Sequence, residues 1–179
     1  MKPISDNRPM AGGPAKAGVT LTSAIVSAGN VDTPYRRLGH GPPAVALGLW
    51  PDLDARAVPQ ELRVLAASCR IIVPDLDRVA ATAWPVGPMA ISFTDWLVGF
   101  LDGLGLASAS LIASWVLEEP LMGAVASLSG RIERIVIVGG AAARSGATPA
   151  PRPFPLPIRR VGSESSWTSI GRFLSGQER

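Results

Sequence analysis

The sequence predicts an α/β fold with a mainly parallel sheet and helices on both faces. From residue 44 onward, short apolar runs alternate with helical patterns, an arrangement typical of parallel strands joined by helices. The run at 44–49 is short, continuous and apolar, as expected of a strand buried on both faces. Right-handed crossovers then place helices on both sides of the sheet. Functional residues are expected at the carboxyl edge of the strands, where open α/β sheets bind ligands.

Composition excludes several classes of function. The chain has 179 residues, one cysteine and one histidine, so neither a disulfide scaffold nor a three-histidine metal site can be built. No apolar run approaches the roughly 18 residues of a membrane span. The net charge of +3 is too small to drive nucleic-acid binding. The stretch at 17–29 is not apolar enough for a signal peptide, so we expect a cytoplasmic protein. We also expect no cofactor.

The individual elements follow from periodicity and from turn residues. Predicted strands, in order, are 19–27, 31–38, 44–49, 70–73, 110–115, 132–138 and 158–161. The first predicted helix is capped by Asp52 or Asp54 and runs to about Ala67. The other predicted helices are 92–104, 118–128 and 167–174. A turn is expected at Gly29-Asn30, and a loop rich in Ala and Pro is expected after the fourth strand, up to Pro88.

This pattern suggests four segments. Residues 1–18 are expected to form an extended N-terminal arm without structure of its own. Residues 19–143 form the α/β core, and 144–157 form a Pro-rich loop. Residues 158–179 hold the last strand, the last helix and a basic tail. The arginines of that tail are expected either to be solvated or to form a docking strip for an acidic partner.

Several short motifs resemble those of the α/β-hydrolase fold superfamily in order and spacing. Tyr-Arg-Arg-Leu-Gly-His-Gly-Pro-Pro at 35–43 is similar to the second strand and its turn, and Trp50-Pro51 to the end of the third strand. Ile-Ile-Val-Pro-Asp-Leu at 71–76 is similar to the fourth strand, and 131–138 to the strand after the nucleophile. The resemblance implies a truncated α/β-hydrolase-like fold, with the lid reduced to the loop at 144–157.

The nucleophile position departs from the family pattern. The family's elbow reads Gly-x-Ser-x-Gly, because strand and helix backbones crowd around a strained nucleophile. Counting back from Arg131 places Trp115 at the nucleophile, with Ala113 and Leu117 at the flanking small positions. A slip of one residue offers Ser114 instead. Since tryptophan has no nucleophilic atom, Ser114 is the weak catalytic candidate on this strand.

The other catalytic positions depart as well. The family's His-Gly after the third strand is Gly48-Leu49 here. Glu118-Glu119 begins the helix after the elbow, where negative charge opposes an oxyanion, although two solvated first-turn glutamates also explain the pair. His40 precedes the third strand and is therefore expected at the opposite edge of the sheet. Glu164, beside Ser165 at the family's acid position, is the second weak catalytic candidate.

Four tryptophans are expected at the carboxyl edge, because each falls just after a predicted strand or in the loop leaving it. They are Trp50, Trp84, Trp115 and Trp167. Trp96 lies instead on the apolar stripe of a predicted helix. The four rings either fill volume that glycines line in the family or form a binding surface for a partner or an apolar ligand.

Two further features have ordinary structural explanations. Pro-Asp-Leu-Asp occurs at 51–54 and 74–77, and its four carboxylates either hold a hard cation or cap helices and remain solvated. We predict no metal site. Cys69, at the start of a strand, is expected to be a small buried hydrophobe.

The sequence therefore predicts a catalytically inactive α/β-hydrolase-like protein that acts as an interaction or structural subunit of a larger assembly. Its partner is another protein or a second copy, with an interface at the sheet edge near 132–138 and the tail. The alternatives are a divergent ester hydrolase or lyase completed by a partner chain, and a binder of an apolar small molecule.

Overall fold

The computed structural model describes residues 20–83, 91–128, 130–140, 156–162 and 165–178. In these residues, seven strands form one sheet, and they are β1 (Thr22–Ala28), β2 (Val31–Leu38), β3 (Pro43–Leu47), β4 (Arg70–Pro74), β5 (Ala109–Ser114), β6 (Ile132–Val138) and β7 (Ile158–Val161). Their order across the sheet is β1-β2-β4-β3-β5-β6-β7. β2 pairs antiparallel with both β1 and β4, and the remaining pairs are parallel.

Helices cover both faces of this sheet. The described helices are α1 (Gln60–Ala66), α2 (Leu76–Ala83), α3 (Phe93–Gly103), α4 (Glu118–Ser127) and α5 (Trp167–Leu174). Buried side chains of α2, α3 and α4 form one core with one face of the strands. Those of α1 and α5 form a second core on the other face. The predicted fold class, a mainly parallel α/β sheet with helices on both sides, is confirmed.

Most strands and the later helices lie where the sequence predicts them. β2, β6, β7 and α5 have the predicted limits. The turn at Gly29-Asn30 is also present, with Gly29 at φ 65°. β3 ends at Leu47, two residues early, because Gly48 (φ 64°) and Trp50 (φ 54°) adopt left-handed backbone conformations that an extended strand cannot contain.

Two sequence predictions about helices are wrong. The helix before β4 begins at Gln60, after Pro59, and neither Asp52 nor Asp54 caps it. Asp54 instead accepts a hydrogen bond from the Arg56 amide within a tight turn, at 3.0 Å. The loop predicted after Pro74 begins with α2. Asp75 accepts a hydrogen bond from the Arg78 amide at 3.1 Å, which satisfies a donor in the first turn of that helix.

The expected interface at 132–138 does not lie at a sheet edge. β6 is paired on both sides, with β5 and with β7. Within the described residues, the edges are β1 and β7. The correction matters because unpaired backbone groups, which could recruit a partner, occur only on edge strands.

Some predictions lie outside the described residues, namely the arm at 1–18 and the parts of the two loops at 84–88 and 144–155. The division of the chain into four segments therefore stays a prediction. None of the helices seen in the described ranges is long and apolar enough to cross a membrane.

Candidate functional site

The carboxyl ends of five neighbouring strands meet at one edge of the sheet. β4, β3, β5, β6 and β7 run parallel to each other, so the residues that follow them lie along this edge. Those residues are Asp75, Gly48, Trp115, Gly139 and Gly162. This is the edge at which the sequence predicts function.

The junction between β5 and α4 contains no strained elbow. Ser114, the last residue of β5, has extended backbone angles (φ −63°, ψ 144°), and a single 3₁₀ turn, Trp115–Leu117, leads directly into α4. Among the described residues, Trp50 is the only non-glycine with a positive φ. Since the family's nucleophile depends on a strained, exposed turn, neither Ser114 nor Trp115 occupies the required conformation.

Trp115 is fixed on one side and open on the other. Its indole lies on the backbone of Gly139 and Gly140, and a Cβ atom added at Gly139 would come within 2.9 Å of Trp115 Cδ1. Both glycines also have positive φ, 89° and 90°. The side chain of Trp115 nevertheless remains 54% exposed, and that of Val116 is 60% exposed. We call these two residues the Trp115 surface.

The side chain of Leu117 covers the backbone at the end of β3. A Cβ atom added at Gly48 would come within 2.8 Å of Leu117 Cδ1 and 3.5 Å of Ser114 Cβ. In the family pattern, Gly48 falls at the loop that donates an amide to the oxyanion. A leucine side chain packed onto this backbone offers no hydrogen bond to an oxyanion.

Glu118, in the first turn of α4, is neutralised by an arginine from β7. Its Oε1 atom accepts hydrogen bonds from Arg160 Nε at 3.0 Å and from Arg160 Nη2 at 2.5 Å. Both side chains are mostly buried: 26% of the Arg160 side chain and 32% of the Glu118 side chain are exposed. Glu118 is therefore not a solvated glutamate, and the Arg160 side chain is directed to α4 rather than to an outside partner.

His40 and Ser114 lie at opposite edges of the sheet. His40 lies in the turn before β3, and the flanking glycines, Gly39 and Gly41, pack against the backbone between Ala66 and Cys69. Ser114 follows Ala113, the register partner of Leu47 at the far end of β3. The five residues of β3 separate the two side chains by roughly 16 Å along the strand. The weak candidate Glu164 lies outside the described residues.

The structure brings two of the predicted tryptophans together. The rings of Trp50 and Trp167 are 5.8 Å apart and inclined by 53°, and both pack against the core formed by α1 and α5. Among the rings in the described segments, neither contacts Trp115. Trp84 lies outside the described residues. The predicted tryptophan edge is therefore divided into a packed pair and one exposed ring.

The two Pro-Asp-Leu-Asp motifs line one open groove. Asp52, Asp54, Asp75 and Asp77 lie around a groove of about 610 Å³, together with Arg36. No group of three or more carboxylate, histidine or cysteine side chains in the described part of the chain is arranged to hold a metal ion.

Three residues of this edge were not recognised as important from the sequence alone. The sequence pattern places Arg160 in the basic tail, and it places Leu117 and Val116 only at positions that flank a candidate nucleophile. The apolar pair Trp115-Val116, placed where a strand passes into a helix, was the signal that could have located the exposed surface.

No family model matches this sequence, and no curated protein matches it. Solved structures do match. The naproxen esterase of Bacillus subtilis is 18% identical, with a TM-score of 0.51, and the match covers 67% of this chain and 43% of the esterase. A 2-hydroxy-6-oxo-6-phenylhexa-2,4-dienoate hydrolase from Rhodococcus sp. strain RHA1 is 14% identical, with a TM-score of 0.50 and coverages of 75% and 50%. The chain has the α/β-hydrolase fold.

A third structure gives the same result. A serine hydrolase involved in carbazole degradation is 19% identical, with a TM-score of 0.50, and the match covers 68% of this chain and 49% of the hydrolase. The matched part of this chain corresponds to about half the length of each of these enzymes, or less. At these identities the likeness establishes the α/β-hydrolase fold, and function has to be argued from the site.

Proposed function

We propose that this chain is a catalytically inactive α/β-hydrolase-fold protein that works as an interaction subunit and binds a partner protein through the Trp115 surface. The observation that supports this most directly is the state of Trp115. It stands at the nucleophile position, lies on Gly139 and Gly140, and leaves half of its indole open. We propose that the chain binds this partner in the cytoplasm.

Three features of the site argue against acyl transfer. Ser114 lies in extended backbone rather than on an elbow. The sole histidine of the chain, His40, lies at the other edge of the sheet, so it cannot take a proton from Ser114. Leu117 packs on Gly48, and its apolar side chain offers no hydrogen bond to an oxyanion there.

The same edge has the properties of a protein-binding surface. Tryptophans that are held in place by their surroundings contribute strongly to interfaces, because little conformational entropy is lost when they bind. The glycine backbone fixes one side of the Trp115 ring, and exposed Val116 extends the apolar area. Glu118 lies two residues after Val116 in the chain, and its ion pair with Arg160 of β7 provides a polar border.

Absence of hydrolase chemistry is the first expected result. The purified chain should neither hydrolyse an activated ester nor be labelled by a fluorophosphonate, and Ser114→Ala should behave as the wild type does. Trp115→Ser should also show no turnover, because Leu117 still covers Gly48 and His40 lies at the other edge of the sheet. Labelling that disappears in Ser114→Ala, or ester turnover in Trp115→Ser above that of the wild type, would instead support the divergent hydrolase or lyase.

Loss of partner binding is the second expected result. Proteins that co-purify with the native chain are identified, produced separately and titrated against purified variants. Trp115→Ala should weaken the complex by about 30-fold or more, the effect of removing an interface residue worth about 2 kcal/mol. Val116→Lys should also weaken it, whereas Ile25→Lys, an exposed apolar change elsewhere, should not. Unchanged affinity in Trp115→Ala would contradict the proposed surface.

A further inference from the structure

Within the described residues, β1 is an edge strand that lacks the usual protection against pairing. Natural edge strands are commonly short, bulged, charged or interrupted by proline. β1 has seven residues, pairs with β2 in unbroken register, and contains neither a charged residue nor a proline. Its first four residues are exposed, and the side chain of Ile25, at the centre of the strand, is 66% exposed.

We infer that β1 binds a second copy of this chain, by antiparallel pairing around a two-fold axis at Ile25. The sequence of the strand, Thr-Ser-Ala-Ile-Val-Ser-Ala, is nearly symmetric about that residue. A two-fold axis there places Ser23 opposite Ser27 of the second copy, Ala24 opposite Val26, and Ile25 opposite itself. Closed two-fold association requires such self-complementarity.

The charges on β2 are complementary in this arrangement. In the register of the hairpin, Arg36 lies beside Ser23 and Asp32 lies beside Ser27. Pairing Ser23 with Ser27 of the second copy puts Arg36 of one copy and Asp32 of the other on the same row and the same face of the joined sheet. The two-fold axis produces this row twice. Only small serine side chains lie between the opposite charges, so the attraction favours the antiparallel register.

The face that bears Ile25 is open in the described structure. Val26, Ala28 and Tyr35 pack into the core with α3, and side chains alternate along a strand, so Ile25 points to the opposite face. There it borders a groove of about 430 Å³ that Pro34 and Val73 also line. Two Ile25 side chains placed side by side would cover each other on this face, which adds apolar burial to the backbone hydrogen bonds.

This inference is independent of the proposed function, because β1 and the carboxyl edge with Trp115 are different surfaces. Sedimentation velocity of the full chain at micromolar concentration tests it. The wild type should be a dimer, and Ile25→Lys, which places two ammonium groups side by side at the axis, should raise the dissociation constant at least tenfold. Val116→Lys is the matched control and should remain dimeric. A monomeric wild type, or a dimer that only Val116→Lys disrupts, would overturn the inference.

Cross-linking provides a second measurement that does not depend on the lysine variant. Cys69 is buried, and burial raises the pKa of its thiol to about 11, so the native cysteine reacts slowly with thiol reagents near neutral pH. Ile25→Cys should then give a covalent dimer with a short bismaleimide, since opposed Cβ atoms of paired strands lie about 4.5–5.5 Å apart. Val116→Cys should give much less. Equal yields from the two variants would contradict pairing at β1.

Discussion

Trp96→Ala is expected to lower the free energy of unfolding by about 3–5 kcal/mol, the usual cost of removing a buried aromatic side chain. The side chain of Trp96 is fully buried between α3 and the sheet. Its ring stacks on Phe100 at 5.3 Å and is tilted against Phe93 at 5.8 Å. Its Nε1 atom donates a hydrogen bond of 3.0 Å to the buried Thr33 hydroxyl on β2. The substitution therefore removes both a packing centre and a buried polar contact.

The matched control is Trp115→Ala, which removes the same side chain from a position that is 54% exposed. That variant should lose less than about 1 kcal/mol, as expected away from the core. Trp96→Phe should fall between the two, because it keeps a ring but loses the hydrogen bond to Thr33. Chemical denaturation followed by far-UV circular dichroism measures all three without relying on tryptophan fluorescence. Similar losses for Trp96→Ala and Trp115→Ala would contradict the assignment of Trp96 to the core.

The parallel strands could be predicted because burial on both faces leaves a direct mark on the sequence. β3 is a continuous apolar run, β4 and β6 are apolar apart from charged residues near their beginning, and β6 has the predicted limits. The apolar stripe of α3 likewise placed Trp96 and Phe100 in the core. Ser92 caps that helix by accepting a hydrogen bond from the Asp95 amide at 3.0 Å, which fixes its first turn.

Elements that depend on local hydrogen bonds were harder to predict. The segment that forms α2 is rich in Ala and precedes a proline-containing stretch, so composition favoured a loop. The side chain of Asp75 initiates the helix, and Val79, three residues after Leu76, is fully buried. Asp54, in the other Pro-Asp-Leu-Asp motif, accepts a hydrogen bond from the Arg56 amide, but the tight turn that this bond closes does not continue as a helix.

The candidate site was only partly predictable for a related reason. The resemblance to the α/β-hydrolase pattern, counted back from Arg131, predicts Trp115 at the nucleophile position, and the structure shows that this residue is exposed. Contacts between distant segments could not be read in the same way. Three contacts join residues that become neighbours only after the sheet has formed. They are the contacts of Trp115 with Gly139, of Leu117 with Gly48, and of Arg160 with Glu118.

These contacts stabilise the backbone at the carboxyl edge. A nucleophile elbow costs backbone strain, which the surrounding structure must offset. Here the chain passes from β5 into α4 through an ordinary 3₁₀ turn, Leu117 packs on Gly48, and the partly buried Arg160 pairs with Glu118. The folded state therefore carries no strain of that kind at this junction.

The remaining large effect concerns how closely α3 approaches β1. A Cβ atom added at Gly99 would lie 2.4 Å from the amide nitrogen of Gly29 and 2.9 Å from the carbonyl carbon of Ala28. Both atoms belong to the backbone of the hairpin, so no side-chain rotation can relieve the overlap. Gly99→Ala should therefore push α3 away from β1 and lower the free energy of unfolding by about 1–3 kcal/mol, the usual cost of overpacking.

Gly123→Ala is the matched control, and the opposite sign is expected. Gly123 lies inside α4, and a Cβ atom added there would meet nothing within 4 Å. Alanine in such a position loses less conformational entropy on folding than glycine does, so the variant should gain about 0.5–1 kcal/mol. Urea denaturation of both variants under one set of conditions gives the two signs. If Gly99→Ala were also stabilising, α3 could not lie in backbone contact with β1. The edge strand β1 would then lack the support of α3. Pairing with a second copy would have to order β1 as well, and the lost conformational entropy would weaken the dimer.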